Sequence, residues 1–212
     1  MHKNCLTKKQ SALLPLLKLF SRDFGLVGGT AVALQLGHRR SIDFDLFSNT
    51  EFDNWQLKKK LAIGGYKIQR VFFDQTGEYS VLIDSVKITF LYYPFKIQFS
   101  KKFLDIIKLP NLLTLAAMKT YALGRRAKWK DYVDLYFIIN KYHGIERIIK
   151  KTKSIFGKEF NEKIFRAQLS YFEDIDFSEK INYIKGYKIK DSEIKQKLVK
   201  FSLAKWLKKY GK

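Results

Sequence analysis

The chain reads as an α+β (α/β) protein, with a mixed sheet flanked by helices in its first half and a bundle of helices in its second. Three observations predict this. Apolar residues fall at helical spacing in three segments before residue 64, with short apolar runs between them. From Tyr66 to Phe90 the period changes to two, with turn residues at the joints. Beyond Asn111 the period is helical again and no strand pattern recurs. The boundary falls near Pro110, dividing the chain into residues 1–110 and 111–212.

Lys8 to Asp23 carries Leu13, Leu14, Leu17 and Phe20 at helical spacing, with Pro15 in the first turns, where proline is tolerated. Phe24-Gly25-Leu26-Val27 reads as a short buried strand and Ala31 to Leu36 as a short apolar helix. In Ile42-Asp43-Phe44-Asp45-Leu46 apolar and acidic residues alternate. A strand of that pattern puts Asp43 and Asp45 on one face and Ile42, Phe44 and Leu46 on the other. Ser48-Asn49-Thr50 is a turn, and Thr50 or Glu51 starts a helix through Trp55, Leu57 and Leu61 that Gly64-Gly65 ends. Three strands follow as an antiparallel meander: one with Tyr66, Ile68 and Phe72, one with Val81 and Ile83, one with Val86, Ile88 and Phe90. Asp74 to Gly77 and Asp84-Ser85 form the joints. Asn111 caps a helix from Leu112 to Leu123, closed by Gly124, and Lys128 to Tyr142 forms the next. The lysine-rich remainder is helical and ends in an amphipathic stretch, Ile194 to Leu207.

A 46% hydrophobic and 16% aromatic composition excludes a disordered chain. Forty-one Lys and Arg against 20 Asp and Glu give a net charge of +21, a field that favours a polyanionic partner, most often nucleic acid. A lysine-rich genome would produce the same excess. Cys5 is the single cysteine, which excludes an intrachain disulfide or a cysteine metal cluster. There is no signal-peptide pattern and no apolar run long enough to cross a bilayer, so the expectation is a soluble cytoplasmic protein without a membrane partner.

Chemistry concentrates in two places. Gly28-Gly29-Thr30 lets the backbone turn tightly and approach a ligand, and the amides at the following helix start favour phosphate. The paired carboxylates Asp43 and Asp45 repel each other, so their natural partner is a hard divalent cation such as Mg²⁺. Taken alone, a Gly-Gly is usually a turn and an Asp-x-Asp a solvated strand face. The second place is Lys119 and then Lys130-Asp131-Tyr132-Val133-Asp134-Leu135. On a helix Asp131 and Asp134 share a face, and Lys130 and Asp134 are spaced to pair, as on many surface helices.

The order strand, Gly-Gly, helix, Ser-x-Asp-x-Asp resembles the signature of the polymerase-β-like nucleotidyltransferases. More closely, Gly-Gly-Thr-Ala-x-Ala-Leu-Gln-Leu-Gly-His-Arg-x-Ser-x-Asp-Phe-Asp-Leu-Phe resembles the AbiEii/AbiGii nucleotidyltransferase toxin family, over about Gly25 to Leu135. The resemblance implies a nucleotidyltransferase domain over 1–110 and a helical domain over 111–212. It implies a Mg²⁺-dependent transfer of NMP from an NTP to RNA, a tRNA 3′ end being one such acceptor, by the toxin of a bacterial toxin–antitoxin or phage-defence pair. A cognate antitoxin would then be a partner. Asp43 and Asp45 would hold the metal, and Gly28, Gly29, Thr30 and Ser41 would line the phosphate loop. Lys119 would face the phosphates, Lys130 would do likewise or pair with a carboxylate, Asp131 would be the catalytic acid of the second domain, and Asp134 would orient Lys130. One departure stands out. Relatives often carry a third carboxylate on a later strand, where Val86-Lys87-Ile88-Thr89-Phe90 has Thr89. That supports an alternative, a catalytically weak member that binds nucleotide or RNA. A second alternative is NMP transfer to a protein.

Overall fold

The computed structural model describes residues 1–204. The chain forms two compact units, Met1–Asn111 and a second that begins at Leu112.

In the first unit Thr7 and Gln10 form a capping box that starts helix α1 (Lys8–Ala12), and α2 (Leu14–Phe20) follows with Pro15 in its first turn. The single helix expected over Lys8–Asp23 is therefore two. Proline has no N–H to continue a ladder, so the chain breaks at Leu13 and restarts. Then come β1 (Gly25–Val27), α3 (Gly28–Leu36), β2 (Phe44–Ser48) and α4 (Asn54–Ile63). Next are β3 (Arg70–Gln75), β4 (Glu78–Ile83) and β5 (Val86–Tyr92). The sheet order is β1-β2-β5-β4-β3, with β2 and β5 parallel and the other pairs antiparallel. This is the mixed sheet that the alternation predicts. Phe20 and Phe24 meet Phe90 edge-on at 4.8 and 5.2 Å between ring centroids, which fastens α2 to the buried face of the sheet.

Several boundaries differ from expectation. Ile42 lies before β2 and is 56% exposed, so the buried face is Phe44, Leu46 and Ser48. The backbone carbonyl of Asp43 is held by side chains, and strand pairing begins only after it. Helix α4 starts later than Thr50 or Glu51, because the Ser48 hydroxyl ties back Thr50 and Asp53 is the residue whose side chain caps the first turn. Strand β3 begins at Arg70, not Tyr66, and includes Asp74 and Gln75, so the turn narrows to Thr76-Gly77. A short hairpin, β6 (Lys101–Phe103) with β7 (Ile107–Leu109), was not expected; three-residue strands are too short to show a period.

The second unit contains α5 (Leu112–Leu123), α6 (Trp129–Lys141), α7 (Ile145–Phe156), α8 (Glu162–Gln168) and α9 (Asp191–Leu203). Among its described residues there is no strand, only a bridge between Lys128 and Asp176. Helix α6 is buried along most of its length because Tyr132, Val133, Leu135, Tyr136, Phe137 and Ile138 surround its axis. The Lys195 ammonium of α9 stands 4.9–5.9 Å from the rings of Trp129, Phe172 and Phe177, so one of the tail's lysines serves packing. The expected amphipathic stretch Ile194–Leu207 is helical to Leu203, and residues 205–207 lie outside the described residues. Among the described residues no helix is long and apolar enough to cross a membrane.

Candidate active site

Strand β1 runs directly into α3 at Gly28, whose φ of +67° is a left-handed conformation that disfavours any side chain. Space forbids one too, since a Cβ on Gly28 would run into the Asp45 carboxylate. At Gly29 a Cβ would come within 2.7 Å of Arg39 Nη2 and 3.0 Å of Ser41 Oγ. The paired glycines therefore bring the start of α3 against Asp45, Arg39 and Ser41 together.

Asp43 and Asp45 are both half-buried, as carboxylates at the mouth of a site would be. Asp43 is positioned through its backbone, since its carbonyl accepts from Thr30 Oγ1 at 2.5 Å and from Gln10 Nε2 at 3.4 Å. Thr30 is itself 1% exposed. Its hydroxyl donates to the Asp43 backbone and so ties the start of α3 to the loop that carries Asp43. Arg39 is 3% exposed and donates to the Arg40 carbonyl at 3.0 Å. Sequence reasoning gave no role to Arg39 or Gln10. The only signal was a cation inside the Gly-His-Arg-x-Ser segment.

Register brings a row of residues across the sheet. Val27 of β1 opposes Asp45 of β2, Asp45 opposes Thr89 of β5, and Thr89 opposes Ser80 of β4. Thr89 and Ser80 share a hydroxyl hydrogen bond of 3.1 Å. Thr89 thus stands beside Asp45 with a hydroxyl partner of its own.

In the second unit Lys119 of α5 points its ammonium between two carboxylates of α6, Asp131 Oδ1 at 2.5 Å and Asp134 Oδ2 at 3.0 Å. Both aspartates are fully buried, and Lys119 is 4% exposed. Burial alone would push the Asp131 carboxyl up, but Lys119 and then Arg126, whose Nε lies at 3.1 Å, outweigh it and hold it below the usual carboxylate range. The expected Lys130–Asp134 pair is absent. Asp134 faces Lys119, and Lys130 pairs with Glu179 at 2.5 Å, together with Lys128 at 2.6 Å. The i,i+4 spacing allowed a local pair, but α6 turns Asp134 inward and leaves Lys130 half-buried at its edge. Glu179, 49 residues away in sequence from Lys130, had no local signal.

Among the described residues no three His, Cys, Asp or Glu side chains gather to hold a metal. Asp43 and Asp45 nevertheless fit Mg²⁺, which is commonly bound by one or two carboxylates, with substrate phosphates and waters completing its shell. The glycines let the Asp45 carboxylate, the Arg39 guanidinium and the Ser41 hydroxyl come up against the start of α3.

A helix entered from a strand through Gly28-Gly29, with one carboxylate on the adjoining strand of a mixed sheet and another just before that strand, is the arrangement of a nucleotidyltransferase fold. Solved structures of that fold are similar to this chain. MenT4, a nucleotidyltransferase toxin from Mycobacterium tuberculosis H37Rv, matches with a TM-score of 0.58 at 13% identity, covering 92% of this chain and 81% of that one. JHP933 from Helicobacter pylori matches with a TM-score of 0.57 at 15% identity, covering 96% and 95%. An uncharacterised protein of Aquifex aeolicus (strain VF5) is 31% identical over 163 residues, 72% of this chain and 75% of that protein. The family model for the nucleotidyl transferase AbiEii toxin of type IV toxin–antitoxin systems matches residues 16–188. The chain belongs to that family and is a nucleotidyltransferase.

Proposed function

We propose that this protein transfers NMP from an NTP to an RNA acceptor hydroxyl in a Mg²⁺-dependent reaction, tRNA being one such acceptor. The observation that carries this reading is the Asp45 carboxylate packed against Gly28, with Asp43 two residues before it. Asp43 and Asp45 would hold the metal, which would supply charge stabilisation for phosphoryl transfer. Gly28 and Gly29 admit the triphosphate to the start of α3, whose amides favour it, and Ser41 adds a hydroxyl there. Arg39 and Thr30 keep the loop in place. The helical domain carries a charged cluster of its own, Lys119 with Asp131 and Asp134. Within the cluster the two aspartates fix the ammonium of Lys119, while Lys130, outside it and paired with Glu179, contributes through phosphate. The net charge of +21 supports an RNA acceptor through contacts that supply affinity without sequence choice. Toxin activity in the cytoplasm, held in check by a cognate antitoxin, follows from this reading.

The test is label transfer from each of four α-labelled NTPs, with Mg²⁺ or EDTA, to purified tRNA, total RNA and cell protein. Labelled RNA only with Mg²⁺ supports the proposal. Labelled protein alone would shift the acceptor class. Thr89 favours one competing reading, a member that binds nucleotide but turns over weakly, and tight NTP binding without transfer to any acceptor would select it.

A further inference from the structure

We propose that Lys128 and Lys130 form a phosphate-binding pair in the second unit, which Glu179 fills as a built-in competitor. One carboxylate serves both ammoniums, with Oε1 at 2.6 Å from Lys128 Nζ and Oε2 at 2.5 Å from Lys130 Nζ. Two ammoniums set to meet two oxygens on one centre suit two oxygens of a phosphate equally well. The lysines and Arg126 also crowd the start of α6, where the helix dipole is itself positive, so this cluster needs an anion. Asp131 does not meet that need for the lysine pair, being fully buried and shared by Lys119 and Arg126.

Glu179 arrives on a short strap that is fastened before it. The Trp129 amide donates to the Asp176 carbonyl at 3.1 Å, and the Asp176 amide donates to the Ala127 carbonyl at 2.7 Å. Phe177 packs on Trp129 at 5.2 Å between centroids, and the Ser178 amide donates to Asp176 Oδ1 at 2.8 Å. Glu179 lies just beyond these ties, and its side chain is 39% exposed. It can swing off the lysines while the strap stays in place. Exposed ion pairs of this kind are weak, and a phosphate chain brings more charge than one carboxylate. The pair therefore opens to polyphosphate or to an RNA backbone, and Glu179 discriminates against weaker anions. The shared chemistry is the phosphate oxyanion, from either the triphosphate of a nucleotide or the backbone of an RNA, and this inference rests on the nucleotidyltransferase reading for its biological ligand.

Binding to the full-length protein in EDTA tests it, with inorganic tripolyphosphate and a single-stranded oligouridylate as probes. Glu179→Gln should tighten binding about fivefold, the upper range for an exposed pair. The salt dependence with oligouridylate should steepen by about one to one and a half log–log units as two lysines are released. The gain should vanish when Lys128→Gln and Lys130→Gln are added. A gain with tripolyphosphate alone assigns the pair to the nucleotide, and a gain with oligouridylate assigns it to RNA. In wild type, the Glu179 carboxyl resonance should shift on adding whichever probe binds, a readout that does not depend on how well the variant folds. No gain with either probe and an unmoved Glu179 resonance would overturn the proposal. Neither probe undergoes transfer, so a failed labelling assay leaves this result interpretable, and the converse holds.

Discussion

Asp45 of β2 and Thr89 of β5 stand side by side in register on parallel strands, and Thr89 is joined to Ser80 by a 3.1 Å hydroxyl hydrogen bond. A carboxylate at position 89 would be the nearest strand neighbour of Asp45. The hydroxyl there is a weak metal ligand and no base near neutral pH, so the acidic charge here comes from Asp45 on β2 and from Asp43 just before it.

Thr89→Asp should therefore create a site that needs a cation. Without Mg²⁺ a second carboxylate beside Asp45 adds like-charge repulsion, and the variant should melt below wild type. Like charges side by side on paired strands are destabilising. Millimolar Mg²⁺ should restore the melting temperature, and half-maximal activity should be reached at lower Mg²⁺ than in wild type. Thermal melts across a magnesium series check this; a Thr89→Asp protein indifferent to Mg²⁺ would mean that the pair does not face a metal position.

Gly28→Ala tests the cradle. The left-handed φ of +67° costs an alanine about 1–2 kcal/mol, and its methyl must displace the Asp45 carboxylate. Stability should fall by at least that amount, and NTP binding should weaken more than stability explains. Denaturant unfolding beside nucleotide titration separates the two effects.

Lys119→Met would leave Asp131 and Asp134 buried with their ammonium gone. Removing one partner of a buried ion pair destabilises by about 3–5 kcal/mol. Adding Asp131→Asn and Asp134→Asn to Lys119→Met should recover much of the loss, because the buried carboxylates are gone and Arg126, which loses Asp131, is solvent-exposed. Urea unfolding of the single and triple variants measures both. A single variant as stable as wild type would contradict the observed burial.

Glu179 gives a pH signature. Burial would raise its carboxyl, but hydrogen bonds from Lys128 and Lys130 bring it down to about 2. A carboxyl depressed on folding stabilises fully above its unfolded value of about 4.3, and the contribution disappears as pH falls through about 2. The stability gap between wild type and Glu179→Gln should be level from pH 7 to 5 and close below pH 4. Solvent screening of a pair this exposed keeps the gap within about 1 kcal/mol. Acid titration of both proteins by circular dichroism checks the sign.

The fold was legible where the signal is local. Alternation in Phe44-Asp45-Leu46 and in β4 and β5 exposes one buried face, and Gly28-Gly29 before an apolar run announces a strand turning into a helix. What was not legible depends on tertiary register. Nothing near Lys130 in sequence points to Glu179, and the i,i+4 spacing to Asp134 suggested a pair that the inward turn of α6 removes. Gln10 reaches Asp43 from a helix 33 residues earlier, a contact that periodicity does not contain. Ile42 looked like a core residue because alternation continued through it, but the chain joins the sheet only at Phe44.

The central claim is that Asp43 and Asp45 hold the metal for NMP transfer. The measurement is Mg²⁺-dependent transfer of label from an α-labelled NTP to RNA by wild type, Asp43→Asn and Asp45→Asn, with folding checked by circular dichroism. Asparagine keeps the size and removes the negative charge, while Phe44 and Leu46 still anchor the strand. Loss of one catalytic electrostatic donor in other enzymes costs about 10²–10³ in rate, so each variant should fold and transfer at least that much more slowly. Folded asparagine variants that transfer label at the wild-type rate would contradict the account.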